Sequence, residues 1–311
     1  MKSNLTGLHH ITAISSDVKR NMQFYTRVLG LRFVKKSVNQ DDTGTYHLYY
    51  GNHTGAPGTA LTFFPWAGLP RGRPGKGQSY ATAFSVPAAS LAFWQDRLMR
   101  LDVPTFPVET RFADQVLPFQ DPDGLRLELV ATAENDPRPP TPSTEIPAEH
   151  AIRGFHSSTL ALVAASPTAA VLTGPMGYRR LAESGHRTRY TVAAGGPGTY
   201  VDLLTDPAVP RGLNGAGTIH HVAFRTPDDA AQVAAREILL QDALMVSPVI
   251  DRAYFKSIYY REPGGVLFEI ATDQPGFAID EPVESLGTKL SLPPHLEPHR
   301  AEIEAGLPAI N

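Results

Sequence analysis

The sequence predicts an α+β fold in which four βαβββ modules form two half-barrel domains. The chain has 311 residues, which is long for a single hydrophobic core and indicates two domains. Its first half is repeated in its second half, and each half divides again into two similar parts. Such a repeat is expected when a protein is built from copies of one supersecondary unit.

The repeat is carried by short patterns that return in the same order. Three pairs of segments match between the halves: 7–12 with 154–159, 57–59 with 197–199, and 121–129 with 262–270. In addition, the pattern Ile-His-His at 219–221 repeats the Leu-His-His at 8–10. These patterns predict the following division: 1–132 with two modules (5–66, 78–132), a proline-rich linker at 133–150, 151–273 with two modules (152–207, 216–273), and a C-terminal tail at 274–311.

The first module begins with a strand and continues into a helix. Asp17 is the predicted N-cap of this helix, its apolar residues share one face, and Gly30 ends it. Short runs rich in β-formers follow at 32–34, 46–50 and 59–64, with Gly, Asn and Asp turns between them. The unit is therefore βαβββ.

The other modules repeat this order. In the fourth, residues 227–229 start a helix and two strands follow at 254–260 and 265–271. The helix of the third module is short and only weakly indicated. The loop at 66–79, which carries three basic residues among glycines and prolines, is open to two interpretations: a lid over a binding site or a solvated surface loop.

The composition excludes several classes of function. The 28 basic and 31 acidic residues give a net charge of -3, which is too weak to recruit nucleic acid or an anionic membrane. The absence of cysteine excludes thiolate ligands, thiol nucleophiles and disulfides. No signal peptide and no apolar run long enough to span a membrane is present, so we expect a cytoplasmic protein with a small-molecule ligand.

Five motifs carry a resemblance to a known family, and it extends over residues 5–290. Histidines near strand starts and a glutamate near a strand end resemble the vicinal oxygen chelate superfamily, which includes glyoxalase I, extradiol dioxygenases and bleomycin-resistance proteins. More narrowly, the motifs are similar to those of ring-cleaving dioxygenases that act on para-hydroquinones. The motifs are Gly7 to Thr12, Tyr46 to Tyr50, Arg153 to Ser157, Ile219 to His221 and Pro263 to Glu269.

The residues and the resemblance together predict one metal site. Neighbouring side chains of a strand point to opposite faces, so only one histidine of each His-His pair can face a given metal. The resemblance assigns the second of each pair, His10 and His221, and adds Glu269 as the carboxylate. A buried carboxylate in an apolar run needs a metal or a cationic partner. Two histidines with one carboxylate suit non-haem Fe(II), with Mn(II) or another divalent metal next.

Five further residues match positions around the metal in the hydroquinone dioxygenases: His9, Thr12, His220, Arg252 and Tyr259. The resemblance implies that His220 or Tyr259 moves protons and that Arg252 stabilises negative charge. Thr12 shares a strand face with His10 and is expected at the pocket wall. An aromatic core residue is an equally open interpretation of Tyr259.

The repeat also predicts where no metal binds. In the third module, Ser157 stands in place of His10. In the second module, Glu128 has no pair of histidines beside it, so the expected role of Glu128 is a salt bridge. One metal per chain follows. Because its ligands come from the first and fourth modules, these two modules should share one half-barrel, with the second and third in the other.

The expected function is metal-dependent, extradiol-type ring cleavage of a hydroquinone-like diphenol with O2. A glyoxalase-like isomerase or lyase is the first alternative, but it needs a fourth protein ligand and the strand at 59–65 has no carboxylate. The second alternative is a non-catalytic protein that binds an aromatic compound or drug. The sequence leaves assembly into a homo-oligomer open.

Overall fold

The computed structural model describes residues 2–132 and 136–310. They form two eight-stranded sheets, each curled into a half-barrel, with one helix from each module packed against them. The α+β prediction of four modules in two half-barrels is therefore confirmed. Residues 133–135 of the predicted linker lie outside the described part.

Each module contains a first strand, a helix and three further strands. The first module has β1 (Gly7–Ser15), α1 (Val18–Gln23), β2 (Arg32–Asn39), β3 (Asp42–Gly51) and β4 (Ala60–Pro65). The second has β5 (Gln78–Val86), α2 (Leu91–Arg100), β6 (Glu109–Arg111), β7 (Asp114–Gln120) and β8 (Arg126–Ala131). The third has β9 (Gly154–Ala161), α3 (Ser166–Thr173), β10 (Arg179–Ser184), β11 (Arg187–Thr191) and β12 (Tyr200–Leu204). The fourth has β13 (Thr218–Thr226), α4 (Asp229–Gln241), β14 (Ile250–Asp251), β15 (Phe255–Arg261) and β16 (Leu267–Pro275).

The two sheets join modules that are distant in sequence. One sheet has the strand order β14-β15-β16-β13-β1-β4-β3-β2 and contains the fourth and first modules. The other has the order β10-β11-β12-β9-β5-β8-β7-β6 and contains the third and second. The predicted pairing of the first module with the fourth is thus confirmed, and each half-barrel cuts across the two sequence halves.

Strand register makes the first and fourth modules equivalent. Thr12 on β1 lies beside Thr62 of the parallel strand β4. Ala223 on β13 lies in the same way beside Glu269 of β16. Since Thr12 and Ala223 each lie two residues after the second histidine of a His-His pair, Thr62 occupies the position that Glu269 occupies in the fourth module.

Local signals set the helix ends as expected. The Asp17 carboxylate accepts a hydrogen bond of 2.8 Å from the Arg20 backbone N–H at the start of α1. A π-helical turn at Phe24–Val28 continues the helix to Gly30, which has a positive φ of 67°. A Cβ on Gly30 would lie 2.5 Å from Ile146 Cγ1 of the linker. The linker is therefore packed against the first module, with Ile146 in the core.

The tail packs against the first module. It contains α5 (Arg300–Gly306) and 3-10 turns at Phe277–Ile279, Val283–Ser285 and Glu297–His299. Buried Lys35 on β2 pairs with two of its carboxylates, Asp280 at 2.6 Å and Glu281.

The loop at 66–79 pairs with the corresponding connection before β13. Single β-bridges join Arg71 to Ala216 and Arg73 to Leu213. Backbone contacts thus hold this part of the loop to the connection between β12 and β13. The first residue of the loop, Trp66, lines the cavity described below. No helix in the described part of the chain is long and apolar enough to cross a membrane.

Candidate metal centre

Three predicted ligands meet on the central strands of the first sheet. His10 on β1, His221 on β13 and Glu269 on β16 are buried, and their ligand atoms lie within 4.8 Å of one another. Glu269 Oε2 is 3.3 Å from His10 Nε2 and 2.9 Å from His221 Nε2. The two Nε2 atoms are 3.3 Å apart. The arrangement brings together two imidazole nitrogens and one carboxylate oxygen.

The carboxylate oxygen at the centre lacks a hydrogen-bond donor. His221 Nε2 lies 2.9 Å from this oxygen, but a His221 ring that donates from Nδ1 to His220 has no proton on Nε2 to donate. Glu269 Oε2 is buried and has no hydrogen-bond partner in the described part of the chain, whereas Oε1 accepts from the Ser257 hydroxyl. A buried, unsatisfied carboxylate oxygen is costly. A divalent cation between the three atoms would remove that cost, so these residues fit a two-histidine, one-carboxylate metal site.

His9 supports His10 from behind the cluster. His9 Nε2 lies 3.1 Å from the Thr272 carbonyl oxygen, to which it can only donate. The neutral His9 ring therefore accepts at Nδ1, which lies 2.9 Å from His10 Nδ1. His10 then donates from Nδ1 and keeps its Nε2 lone pair for a metal, as supporting hydrogen bonds around metal ligands do. His9 lies outside the set of residues that line the cavity.

The second histidine pair repeats this arrangement. His220 Nδ1 is 2.8 Å from His221 Nδ1, so a His221 ring that keeps its Nε2 lone pair donates to His220. His220 then carries its own proton on Nε2. Unlike His9, His220 lines the cavity and is partly exposed to solvent.

The surroundings keep the predicted ligands in the forms that bind metal. Burial alone would raise the pKa of Glu269. The attraction of the adjacent His10 and His221 rings outweighs this effect, so the pKa lies well below its usual range. Burial lowers the pKa of His221, and the attraction of Glu269 offsets this only in part. At neutral pH the site therefore offers a carboxylate and a neutral imidazole.

A cavity of ≈ 410 Å³ opens above this cluster. This volume is within the range of small-molecule sites, and most of the wall is aromatic or apolar. The lining residues are His10, Asn39, Gln40, Asp41, Asp42, His47, Tyr49, Phe64, Trp66, His220, His221, Arg252, Phe255, Tyr259 and Leu267. Three of the five predicted neighbours of the metal, His220, Arg252 and Tyr259, are thus on the wall.

Arg252 and Tyr259 form a pair on one side of this cavity. Arg252 Nε donates to the Tyr259 hydroxyl at 3.2 Å, and a second nitrogen of the guanidinium lies 3.2 Å from Asp41 at the pocket rim. Burial raises the pKa of Tyr259, with a further contribution from Glu269. Tyr259 therefore stays protonated at neutral pH, and its oxygen accepts the hydrogen bond from Arg252.

The opposite side holds residues to which the sequence analysis assigned no role at the site. The Tyr49 hydroxyl lies 2.6 Å from His47 Nδ1, and His47 Nε2 lies 2.9 Å from Thr62 Oγ1. Thr62 in turn contacts Thr12 Oγ1 at 2.7 Å. Thr12 is fully buried behind the wall, which differs from the expectation that it lines the pocket, because the side chains of β3 and β4 lie between it and the cavity.

The equivalent position in the other half-barrel is closed by ion pairs. Arg111 contacts both oxygens of Glu128, at 2.7 and 3.0 Å, which confirms the predicted salt bridge. Arg189 likewise contacts Asp202 at 2.8 Å, and Ser157 stands where a histidine would be needed. Arginine charges thus balance the buried carboxylates there. Among the described residues, the one group that could hold a metal is His10, His221 and Glu269.

Two half-barrels of βαβββ modules with a buried His-His-Glu cluster in one of them define a protein of the vicinal oxygen chelate class. The sequence-family model of the Glyoxalase/Bleomycin resistance protein/Dioxygenase superfamily matches residues 7–129 of this chain. The chain is 47% identical over 307 residues to the provisionally named ring-cleaving dioxygenase MhqO of Bacillus subtilis, covering 99% of this chain and 97% of that protein. It is therefore a member of this superfamily, in the family of the ring-cleaving dioxygenase MhqO.

Two further comparisons agree. The chain is 34% identical over 312 residues to chlorohydroquinone/hydroquinone 1,2-dioxygenase of Sphingobium indicum, covering 97% of this chain and 96% of that protein. A crystal structure of a Bacillus subtilis protein, provisionally described as a dioxygenase, superposes with a TM-score of 0.94 and 45% identity over 100% of this chain and 99% of that one. The ring-cleaving dioxygenase interpretation is confirmed by these relatives, and the chain is an oxidoreductase.

Proposed function

We propose that this protein uses Fe(II), held by His10, His221 and Glu269, to cleave the ring of a hydroquinone-like diphenol with O2. One observation carries the proposal: a buried carboxylate oxygen without a donor lies beside two imidazole nitrogens at the floor of an aromatic cavity. When bound, the metal supplies Lewis acidity toward a phenolic oxygen and redox chemistry toward O2. Mn(II) is the next candidate for the same ligands.

The cavity wall supports an aromatic substrate. Phe64, Trp66 and Phe255 surround the space above the cluster, and aromatic rings favour contact with another ring while they exclude water. Two reactants held in one cavity meet at a high effective concentration. The relatives named as ring-cleaving dioxygenases, one of them for hydroquinone, support the same substrate class.

Two groups on the cavity wall can donate a hydrogen bond to a substrate oxygen. Burial and the neighbouring His221 lower the pKa of His220 to about 4, although part of the ring is exposed. His220 is therefore a neutral ring on the cavity wall, with its proton on Nε2. Tyr259 offers an O–H whose oxygen Arg252 already contacts, and the permanent charge of Arg252 stabilises negative charge that develops on the substrate.

The test is oxygen uptake by protein loaded with Fe(II) under anaerobic conditions. Hydroquinone, methylhydroquinone and catechol are added with air, and we expect uptake with the para-diphenols and a ring-opened acid as product. His10→Ala and Glu269→Gln should lose both bound metal and uptake while the far-UV spectrum stays unchanged. Glu128→Gln, in the half-barrel without a metal cluster, is the matched control and should keep the metal.

The outcomes separate the three candidate functions. Loss of uptake with every diphenol at full metal occupancy would remove the dioxygenase proposal. Isomerisation of a substrate without O2 would favour the glyoxalase-like alternative. Tight diphenol binding without metal or turnover would favour a binding protein.

A further inference from the structure

The side of the cavity opposite Tyr259 contains a continuous chain of four hydrogen-bonding groups. It runs from the Tyr49 hydroxyl through His47 and Thr62 to Thr12, with distances of 2.6, 2.9 and 2.7 Å. Tyr49 and His47 line the cavity, whereas Thr62 and Thr12 are fully buried behind it. We name these four residues the tyrosine chain.

The position of the tyrosine chain follows from the repeat. Tyr49 on β3 pairs with Thr62 on β4, just as Tyr259 on β15 pairs with Glu269 on β16. Since Thr62 and Glu269 occupy equivalent positions, Tyr49 is the counterpart of Tyr259. The two tyrosines therefore stand on opposite arms of the same half-barrel, and the cavity lies between them.

Counting protons gives the tyrosine chain a direction. Burial, helped by His10 and His221, lowers the pKa of His47 well below its ordinary value, and burial raises the pKa of Tyr49 well above its own. Both are therefore neutral, and with two threonine hydroxyls the chain has four protons for three hydrogen bonds. One O–H must remain outside the chain.

The remaining O–H has three places available, and two of them are unfavourable. On Thr12 or on Thr62 it would be fully buried, and neither hydroxyl has a further partner in the described part of the chain. An unsatisfied buried donor lowers the population of such a state by roughly 5- to 150-fold. On Tyr49 the same O–H faces the cavity. Thr12 therefore donates to Thr62, Thr62 to His47, and His47 to Tyr49.

Given the diphenol substrate proposed above, we propose that the Tyr49 O–H donates a hydrogen bond to the substrate oxygen remote from the metal. Tyr49 is a positioning residue in this scheme, because it holds a ring oxygen and takes no part in bond cleavage. The rest of the chain keeps the donor directed at the cavity. A substrate with an acceptor oxygen at the far end of its ring is preferred for this reason.

The experiment compares three ligands on protein loaded with Fe(II) in the absence of O2. Hydroquinone and 4-methoxyphenol keep the remote oxygen as an acceptor, and phenol lacks it. By titration calorimetry we expect the first two to bind roughly tenfold more tightly than phenol, the value of one good hydrogen bond. In Tyr49→Phe this difference should disappear, and in turnover KM should rise more than kcat falls.

Two further variants test the direction of the chain. Thr62→Val removes the donor to His47 and should reduce the preference for a remote oxygen, whereas Thr62→Ser should restore it. Tyr50→Phe is the matched control, since the Tyr50 hydroxyl donates to Asn21 at 2.9 Å in the core, away from the cavity. It should leave the preference unchanged.

The possible failures are distinguishable. If wild-type protein binds no diphenol and consumes no O2, the proposed function fails. If wild-type protein prefers hydroquinone to phenol and folded Tyr49→Phe keeps the same preference, the tyrosine chain does not hold the remote oxygen and this inference is wrong.

Discussion

The paired histidines have different tasks although they are neighbours in sequence. His10 and His221 direct Nε2 at Glu269, whereas His9 and His220 hold the Nδ1 atoms of their neighbours. A supporting hydrogen bond of this kind fixes the tautomer of a ligand and its orientation. His9 is the clearer case, because burial and the neighbouring His10 lower its pKa to about 3 and it has no contact with the cavity.

Replacing His9 should therefore weaken metal binding without removing a ligand. In His9→Phe the acceptor for His10 Nδ1 is lost, and we expect the affinity for Fe(II) or Mn(II) to fall about 10- to 100-fold. Competition with a fluorescent chelator measures this. His9→Gln, which retains an acceptor oxygen, should lose less, and an unchanged affinity in His9→Phe would show that His10 needs no support.

At the scale of the strands, the metal cluster has an open side because one position on β4 carries no metal-binding side chain. Thr62 on β4 is equivalent to Glu269 on β16, so the first module offers a hydroxyl where the fourth offers a carboxylate. The cluster thus has three protein ligands, and its remaining coordination positions face reactants. This is the structural reason why O2 chemistry is favoured over the four-ligand chemistry expected of a glyoxalase-like site.

Thr62→Glu should close that open side. Because β4 in the first module is equivalent to β16 in the fourth, we expect the longer carboxylate side chain at position 62 to reach the metal as a fourth ligand, with tighter metal binding and at least about tenfold lower oxygen uptake. Chelator competition and an oxygen electrode measure the two effects. Thr62→Gln, which has similar size but a weak ligand, is the control, and full oxygen uptake with tightly bound metal in Thr62→Glu would contradict the argument.

The sequence predicted the elements whose signals are local or repeated. Asp17 and Asp228 each cap a helix by accepting a hydrogen bond from the backbone N–H three residues later, which is a local signal. The repeat was sufficient to predict which modules share a sheet. The tyrosine chain was not predicted, because the motif that contains His47 and Tyr49 does not indicate that His47 contacts Thr62. The contact between His47 and Thr62 depends on the register between β3 and β4. An alignment of the first and fourth modules strand by strand would have matched Thr62 to Glu269.

At the scale of the whole molecule, the tail closes the first module with a buried charge pair. Lys35 and Glu281 are both almost completely buried, and Asp280, which also pairs with Lys35, accepts a hydrogen bond from Tyr254 at 3.0 Å. These contacts join β2 to a segment about 245 residues later. The tail is therefore part of the fold, although its residues are absent from the cavity wall.

Removing one partner of this pair should cost more than removing both. Lys35→Met leaves Glu281 buried without its cation, and we expect the free energy of unfolding to fall by about 3–5 kcal/mol. In Lys35→Met with Glu281→Leu most of this loss should be recovered. Urea unfolding of the metal-free protein measures both, and equal losses in the single and double variants would contradict a buried pair.

The whole molecule should also lose stability early on acidification, because it buries neutral histidines. Burial is the main cause that lowers the pKa of His9, His156 and His221, and none of them is more than 5% exposed. Below the ordinary pKa of about 6.5 the unfolded chain binds protons at these positions more readily than the folded chain does. The unfolded state then holds more protons, so the free energy of unfolding falls as the pH falls.

For His9, whose pKa burial lowers to about 3, the expected slope is roughly 1.4 kcal/mol per pH unit once the pH is below about 6, and His156 and His221 add to it in the same direction. Urea unfolding of metal-free protein between pH 7.5 and 5.0 measures it. Carboxylates such as Glu128, whose pKa is lowered by Arg111 against the effect of burial, add their own loss only at lower pH. His156→Phe should reduce the slope, since it removes one buried histidine of the other half-barrel. A stability that stays constant down to pH 5 would mean that these rings take up protons in the folded state.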